Sequence, residues 1–232
     1  MKPKSLTIGV LGGMGPAATA EFMKIMAEKA PAECDQEHPR MIVYSHTITP
    51  DRTAFLLGKG PDPYPYLKEG LEKLIGWGAD ILAVTCNTAH CFIDQFREEL
   101  SVPLMHIVEE TIARAAELSP RGAWLTATLG TMRAALYQRY ADKMGYKLYI
   151  PVEDVQVEIH QTTDLVKQGK RNEAGSRLAP IVTELWAEKE LPIVGACTEI
   201  PISYRSCGLP EEMLISSLDA LADAAIRELY FG

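Results

Sequence analysis

The chain has 232 residues, enough for one large domain or two small ones, and its 47% hydrophobic and 23% charged content is that of an ordinary soluble globular protein. A formal charge of −8 argues against a nucleic-acid partner, which needs a basic stripe on the protein surface. No apolar run approaches the roughly 20 residues of a membrane span, and Met1-Lys2-Pro3-Lys4-Ser5 runs straight into a short apolar strand rather than a secretory leader, so a cytoplasmic protein with no membrane partner is expected.

Leu6 to Leu11 reads as a strand, followed by the turn Gly12-Gly13-Met14-Gly15-Pro16 and a helix with Phe22, Met23 and Met26 on its apolar face. Glycines here suit either an anion held on a helix N-terminus or simply a tight turn at positive φ. The spacing is not the Gly-x-Gly-x-x-Gly of a dinucleotide site. Arg40 to His46 is a second strand, ending in Thr47-Ile48-Thr49-Pro50-Asp51-Arg52-Thr53. Arg52 sits on the ligand-facing side of that strand end, where it suits a bidentate grip on a carboxylate or a surface ion pair with Asp51 or Asp62. Gly58 to Pro65 is a loop rich in glycine and proline, of the kind that often serves as a lid.

Leu67, Leu71, Leu74 and Ile75 recur at helical spacing, stopped by Gly76-Trp77-Gly78. Ile81 to Val84 is then a buried strand running into Thr85-Cys86-Asn87-Thr88-Ala89-His90. Ile93, Phe96 and Leu100 mark a helix, Val102 to Ile107 a strand, and Val108 to Leu118 a further helix.

From Ala123 the pattern begins again. Ala123 to Ala127 is a strand, Thr128-Leu129-Gly130-Thr131 a polar turn, and Met132, Leu136 and Tyr140 mark a helix ending at Gly145. Tyr146 to Val152 is a strand. Val155, Ile159 and Val166 share a helix face, with Lys167 near that helix's end, and Leu178, Ile181, Val182 and Leu185 mark the next helix. Pro192 to Glu199 repeats the strand-then-cysteine pattern as Gly195-Ala196-Cys197-Thr198-Glu199. Pro201 to Pro210 reads as loop and Glu211 to Tyr230 as a final amphipathic helix.

Both halves follow one order, and the separation of Val10 from Cys86 nearly equals that of Leu125 from Cys197. We read an internal duplication: an α/β protein of two similar units with parallel sheets, the first from 1–108 plus 209–232 and the second from 109–208. Related by a pseudo-two-fold, the two cysteine-bearing strand ends would face one cleft, and ligands in open α/β sheets bind at the carboxyl ends of strands.

The odd count of five cysteines, with no secretory leader, reads as free thiols in a reducing compartment, and the lack of a Cys-x-x-Cys pair argues against a zinc ribbon or a thioredoxin-type redox site. Cys34, Cys91 and Cys207 stand in no such context and read as packing residues. A metal on Cys86, His90 and Cys91 does not fit the usual ligand spacing; His90 reads as a core or helix-start residue, with tuning of Cys86 as the alternative. Two thiols facing each other across a small molecule suit removal of a proton from one face of a carbon and its return to the other. The free amides of Asn87, Thr88, Thr198 and Glu199 would hold a carboxylate and the charge that develops on it.

Gly12-Gly13-Met14-Gly15-Pro16-Ala17-Ala18-Thr19, Pro50-Asp51-Arg52, Cys86-Asn87-Thr88-Ala89-His90 and Cys197-Thr198-Glu199-Ile200-Pro201 together resemble the aspartate/glutamate racemase family, over nearly the whole chain and in the family's order. The resemblance implies two Rossmann-like domains with the site between them, no pyridoxal phosphate or other cofactor, no metal, and a homodimer. It implies Cys86 and Cys197 as the acid/base pair and a small acidic amino acid as substrate. Arg52 would grip the substrate's side-chain carboxylate with help from Lys167, for which Lys170 competes. Asn87, Thr88 and Thr198 would surround the α-carboxylate and amine, with Met14 lining the site and the turn around Thr128 approaching from the second half. The family usually has glycine where this chain has Ala196, so the extra methyl is expected to narrow the cleft. Maleate isomerases and hydantoin racemases, or a protein that only binds small carboxylates, are the alternatives.

Overall fold

Buried β-branched and leucine side chains at alternate positions make Thr7–Gly12 the strand β1, the first element of a computed structural model that describes residues 1–232. Ile8 and Val10 face one side and Leu11 the other, and these residues fall into different apolar clusters, as the two-residue period of a strand requires. The turn that follows is tight for a stated reason: Gly13 has φ of +84°, and a Cβ there would meet the main-chain nitrogen of His46 at 2.6 Å. Pro16 then opens α1 (Pro16–Lys29) in the first turn, where its missing N–H costs nothing.

The rest of the first half is β2 (Arg40–Ser45), α2 (Arg52–Leu56), α3 (Tyr64–Gly76), β3 (Ile81–Val84), α4 (His90–Ile93), β4 (Leu104–Met105) and α5 (Ile107–Leu118). The second half is β5 (Ala123–Thr126), α6 (Leu129–Arg133), α7 (Leu136–Met144), β6 (Leu148–Tyr149), α8 (Glu153–Lys167), α9 (Arg171–Glu188), β7 (Ile193–Gly195), α10 (Glu199–Arg205), β8 (Leu214–Ser216) and α11 (Ser217–Ile226). The strands form two four-stranded sheets, ordered β2-β1-β3-β4 and β6-β5-β7-β8, with every pairing parallel. The two orders are the same, so the repeat read in the sequence is a repeat of topology. Cys86 follows β3 and Cys197 follows β7, equivalent strands of the two sheets.

Five layers result. Leu67, Leu71 and Leu74 of α3 cover the outer face of the first sheet, and Leu178, Ile181, Val182 and Leu185 of α9 cover the outer face of the second. Between the sheets lies one shared core, to which β1, β3, β5 and β7 contribute together with α1, α5, α7 and α11. Each half thus keeps an apolar cluster of its own on its outer side, and the two are joined by the shared one, so their relative placement rests on apolar packing.

Several expected elements differ. Pro201–Pro210 is not simply loop, because α10 occupies Glu199–Arg205; Pro201 stands in its first turn, where proline is tolerated. Glu211–Tyr230 is not one helix. Leu214, whose spacing suggested helix, pairs with Ile193 in β8, and α11 begins only at Ser217, capped by Ser216 accepting from the Asp219 N–H. The helix expected through Met132, Leu136 and Tyr140 is two helices, broken where Ala135 takes the left-handed conformation at φ 48°. The helix expected at Ile93 to Leu100 is α4 plus a single 3₁₀ turn at Arg97–Glu99. The segment 209–232 is divided in space: β8 completes the second sheet while α11 packs on α1 and α5.

Candidate active site

Both cysteines open onto one narrow cleft at the carboxyl ends of β1, β3, β5 and β7, between the halves, with free space of only about 10 Å³ in this closed arrangement. Its lining contains Met14, Arg52, Cys86, Asn87, Thr88, Thr128, Lys167, Cys197 and Thr198 of the residues singled out from the sequence, together with Asp51, Thr53 and Glu199, but not Lys170 or His90.

Arg52 is buried at the start of α2, with no ion pair to Asp62. Its Nη1 donates to the carbonyls of Thr49 at 3.2 Å and Pro50 at 2.8 Å, and its Nη2 donates to that of Met14 at 3.1 Å. Nε is buried without a partner. The guanidinium is thus fixed from behind, and its Nε–Nη2 edge retains donors for a bidentate carboxylate. Asp51 caps α2, its Oδ1 accepting the Ala54 N–H at 2.7 Å. Burial raises its carboxyl pKa, but that hydrogen bond, Lys167 and Arg52 outweigh it and hold the carboxyl below its usual value.

Lys167 comes from the last turn of α8 and crosses the mouth of the cavity. Its Nζ lies 3.1 Å from Asp164 and 4.0 Å from Asp51. Burial favours the neutral amine, yet Cys197, Glu199, Asp164 and Asp51 together raise its pKa, so it stays charged. Lys170 is exposed, pairs with Glu173 and does not reach the cavity.

The two cysteine loops reach into each other's half. Thr88 Oγ1 meets Thr128 Oγ1 at 3.0 Å and Thr131 Oγ1 at 2.8 Å, on the β5–α6 turn. Glu199 Oε1 accepts the Gly15 N–H at 3.2 Å, on the equivalent β1–α1 turn. Gly130 makes the approach possible, because a Cβ there would meet Thr53 Cα at 2.8 Å. The Asn87 side chain is anchored at both ends: Nδ2 donates to Ser217 Oγ at 3.0 Å and Oδ1 accepts from Tyr137 at 2.5 Å. Its main-chain N–H, and those of Thr88 and Thr198, donate to no main-chain carbonyl, whereas the Glu199 N–H is turned to the Cys197 sulfur. The anchored side chain fixes the Asn87 backbone, whose amide is open to a ligand.

The surroundings of the two thiols differ. Cys197 Sγ donates to Glu199 Oε2 at 3.0 Å, and Thr198 Oγ1 donates to the same oxygen at 3.1 Å. Burial, then the Glu199 charge, push the Cys197 thiol well above the usual range, with Lys167 opposing. At the equivalent position after Cys86 stands Thr88, so Cys86 has no carboxylate beside it. The sequence reading used Glu199 only for its amide; its carboxylate role depends on the side chain turning back over Cys197, which no local pattern signals. Asp51 was read only as an ion-pair partner. Ala196 does not narrow the cleft: it is fully buried among the shared core residues, on the face opposite the cavity, as strand alternation dictates for a neighbour of Cys197. No group of three or more His, Cys, Asp or Glu side chains is arranged to hold a metal ion, and no helix is long and apolar enough to cross a membrane.

A family profile described as Asp/Glu/hydantoin racemase matches residues 11–225. The chain is 30% identical to the broad-specificity amino-acid racemase RacX of Bacillus subtilis over 200 residues, which is 83% of this chain and 85% of that protein. The structure of Picrophilus torridus aspartate racemase superposes with a TM-score of 0.83 at 24% identity, covering 97% of this chain and 94% of that one. Campylobacter jejuni glutamate racemase gives 0.66 at 18% identity, covering 94% and 84%. At these identities the two solved structures establish a common fold.

Proposed function

We propose that this chain, which belongs to the Asp/Glu/hydantoin racemase family, inverts the α-carbon of a small acidic amino acid by proton transfer between Cys86 and Cys197, without pyridoxal phosphate. The observation that carries this reading is the pair of thiols on equivalent strand ends, lining one cleft.

In this reading the substrate's side-chain carboxylate lies on the free edge of Arg52, with Lys167 across the mouth. Its α-carboxylate lies against the open amides after each cysteine. The Cys86 thiolate removes the α-proton and becomes a thiol. The electron pair left on Cα delocalises into the α-carboxylate, whose growing charge those amides stabilise. The Cys197 thiol returns a proton to the opposite face and becomes the thiolate, its charge opposed by Lys167. The other enantiomer runs the steps in reverse. The hydrogen bond from Cys197 to Glu199 supports Cys197 as the proton-bearing partner when the site is empty. The relatives, which are racemases of aspartate, of glutamate or of a broad set of amino acids, support the substrate class.

The test is incubation of purified protein, with no cofactor added, with L- and D-aspartate and L- and D-glutamate in deuterated water, followed by chiral chromatography and mass spectrometry. Inversion with deuterium at Cα is expected, and is lost in both Cys86→Ser and Cys197→Ser. Racemisation by either single variant at the normal rate overturns the two-base mechanism. No exchange with any of the four amino acids overturns the substrate assignment, and turnover of maleate or a hydantoin instead would supply the replacement.

A further inference from the structure

Behind Cys86, on the side away from the cavity, lies a polar cluster sealed in the protein. His90 and His106 meet edge to face with ring centroids 4.4 Å apart, and both are essentially inaccessible to solvent. His90 Nδ1 lies 2.9 Å from the carbonyl oxygen of Cys86. His90 Nε2 is buried with no partner. His106 is engaged at both nitrogens: Nδ1 accepts the Glu109 N–H at 3.4 Å, and Nε2 donates to Asp94 at 2.9 Å. The carbonyl admits only a donor, so Nδ1 of His90 carries the proton and Nε2 does not. Burial, then His106, push the His90 pKa down to about 3.

The second half makes no use of such a residue. There the Cys197 carbonyl accepts the main-chain N–H of Ile200 at 3.0 Å, and Pro201 stands four residues after Cys197. In the first half the equivalent N–H, that of Ala89, makes no bond to the Cys86 carbonyl, and the main-chain N–H of His90 goes to Asn87 at 3.0 Å. The imidazole takes the place of the missing donor.

Pinning that carbonyl has a geometric result. The Cys86–Asn87 peptide is trans, and in a trans peptide the C=O and the following N–H point in opposite directions within one rigid plane. A Cys86 carbonyl held toward His90 turns the Asn87 N–H away from it, to the side where Cys86, Asn87 and Thr88 line the cavity. That N–H has no protein acceptor. We infer that His90 is a positioning residue, which through the Cys86–Asn87 peptide plane aims the Asn87 amide at a bound carboxylate beside the Cys86 sulfur. The inference rests on the proposed racemase reading only for the identity of that carboxylate.

Its test reads the anion preference of the Cys86 thiol, not turnover. Alkylation of Cys86 by iodoacetate and by iodoacetamide is followed by mass spectrometry of the Cys86 peptide, in wild type, His90→Leu and His90→Asn. The asparagine amide nitrogen replaces imidazole Nδ1 as a donor, whereas leucine fills space and donates nothing. The iodoacetate-to-iodoacetamide rate ratio is expected to fall on the order of tenfold in His90→Leu, as for a misaimed anion donor, and to be largely retained in His90→Asn. An unchanged ratio in a folded His90→Leu protein overturns the inference. Should that variant not fold, nitrogen-15 NMR of the wild type decides. A neutral His90 protonated at Nδ1 is expected across about pH 5 to 8, where an ordinary histidine titrates. Finding the proton on Nε2, or an imidazolium, overturns it. A wild type that shows the anion preference but racemises nothing sinks the racemase reading and leaves this one standing.

Discussion

Arg52 and Glu199 are the two side chains whose chemistry depends most on what already holds them. Arg52 gives three hydrogen bonds to carbonyls before any ligand arrives, so its orientation is set in advance. Arg52→Lys cannot reproduce that fork. It is expected to raise KM for an acidic substrate on the order of tenfold and to lower stability by about 1–3 kcal/mol through the carbonyl it leaves buried and unpaired, measured by initial rates and urea unfolding. An unchanged KM removes Arg52 from substrate binding. Glu199→Gln takes away an anion that raises the Cys197 pKa while leaving the burial that raises it more. The pH profile of Cys197 alkylation is therefore expected to move toward lower pH without reaching that of an open thiol; a profile that stays in place means the carboxylate is not the thiol's acceptor. Cys86, Cys197 and Arg52 were legible in the sequence because strand ends in an α/β sheet mark the ligand side. The carboxylate of Glu199 was not, because only the fold brings it back over Cys197 and across to Gly15.

Among elements, β3 and β7 were readable as unbroken apolar runs before a polar turn, since strands covered on both faces lose their alternation. The failures are short elements that borrow another period. Leu214 lies at helical spacing from Leu218 and Leu221, yet three residues of β8 bury more by pairing with β7. The α6–α7 break was hidden because alanine is a good helix former, and nothing in its side chain announces a left-handed backbone. That position carries a prediction. Ala135 at φ 48° has a Cβ close to its own carbonyl, a strain glycine lacks. Ala135→Gly is expected to stabilise the protein by about 1 kcal/mol with racemisation unaltered, as read by chemical denaturation. A loss of stability would mean that the chain entropy added by glycine exceeds the strain removed.

At the level of the whole molecule, acid stability is set in part by groups that the shared interior keeps neutral. An unfolded His90 titrates near 6.5, and the folded one near 3. Between those values the unfolded chain binds a proton that the folded one refuses, so stability is complete above about pH 6.5 and falls as the pH drops toward 3, by on the order of 4 kcal/mol. Asp94, held below its usual range against its own burial chiefly by the hydrogen bond from His106, acts in the same direction lower in the range. In His90→Asn the part of this slope owed to the imidazole should vanish from pH-dependent urea midpoints; an identical slope would mean that His90 is not kept neutral by the fold. The last consequence concerns symmetry. Each cysteine turn is tied to the opposite half, Thr88 to Thr128 and Glu199 to Gly15. Two identical copies of one half, paired about a true two-fold, would place the same groups beside both thiols, and any substitution near one would be imposed on the other. Joining the halves in one chain removes that obligation, and here it has been used. One thiol has a carboxylate and the other a threonine, while the carbonyl behind one is met by an imidazole and that behind the other by the main chain. The two sides of the cleft are therefore related in fold but distinct in chemistry.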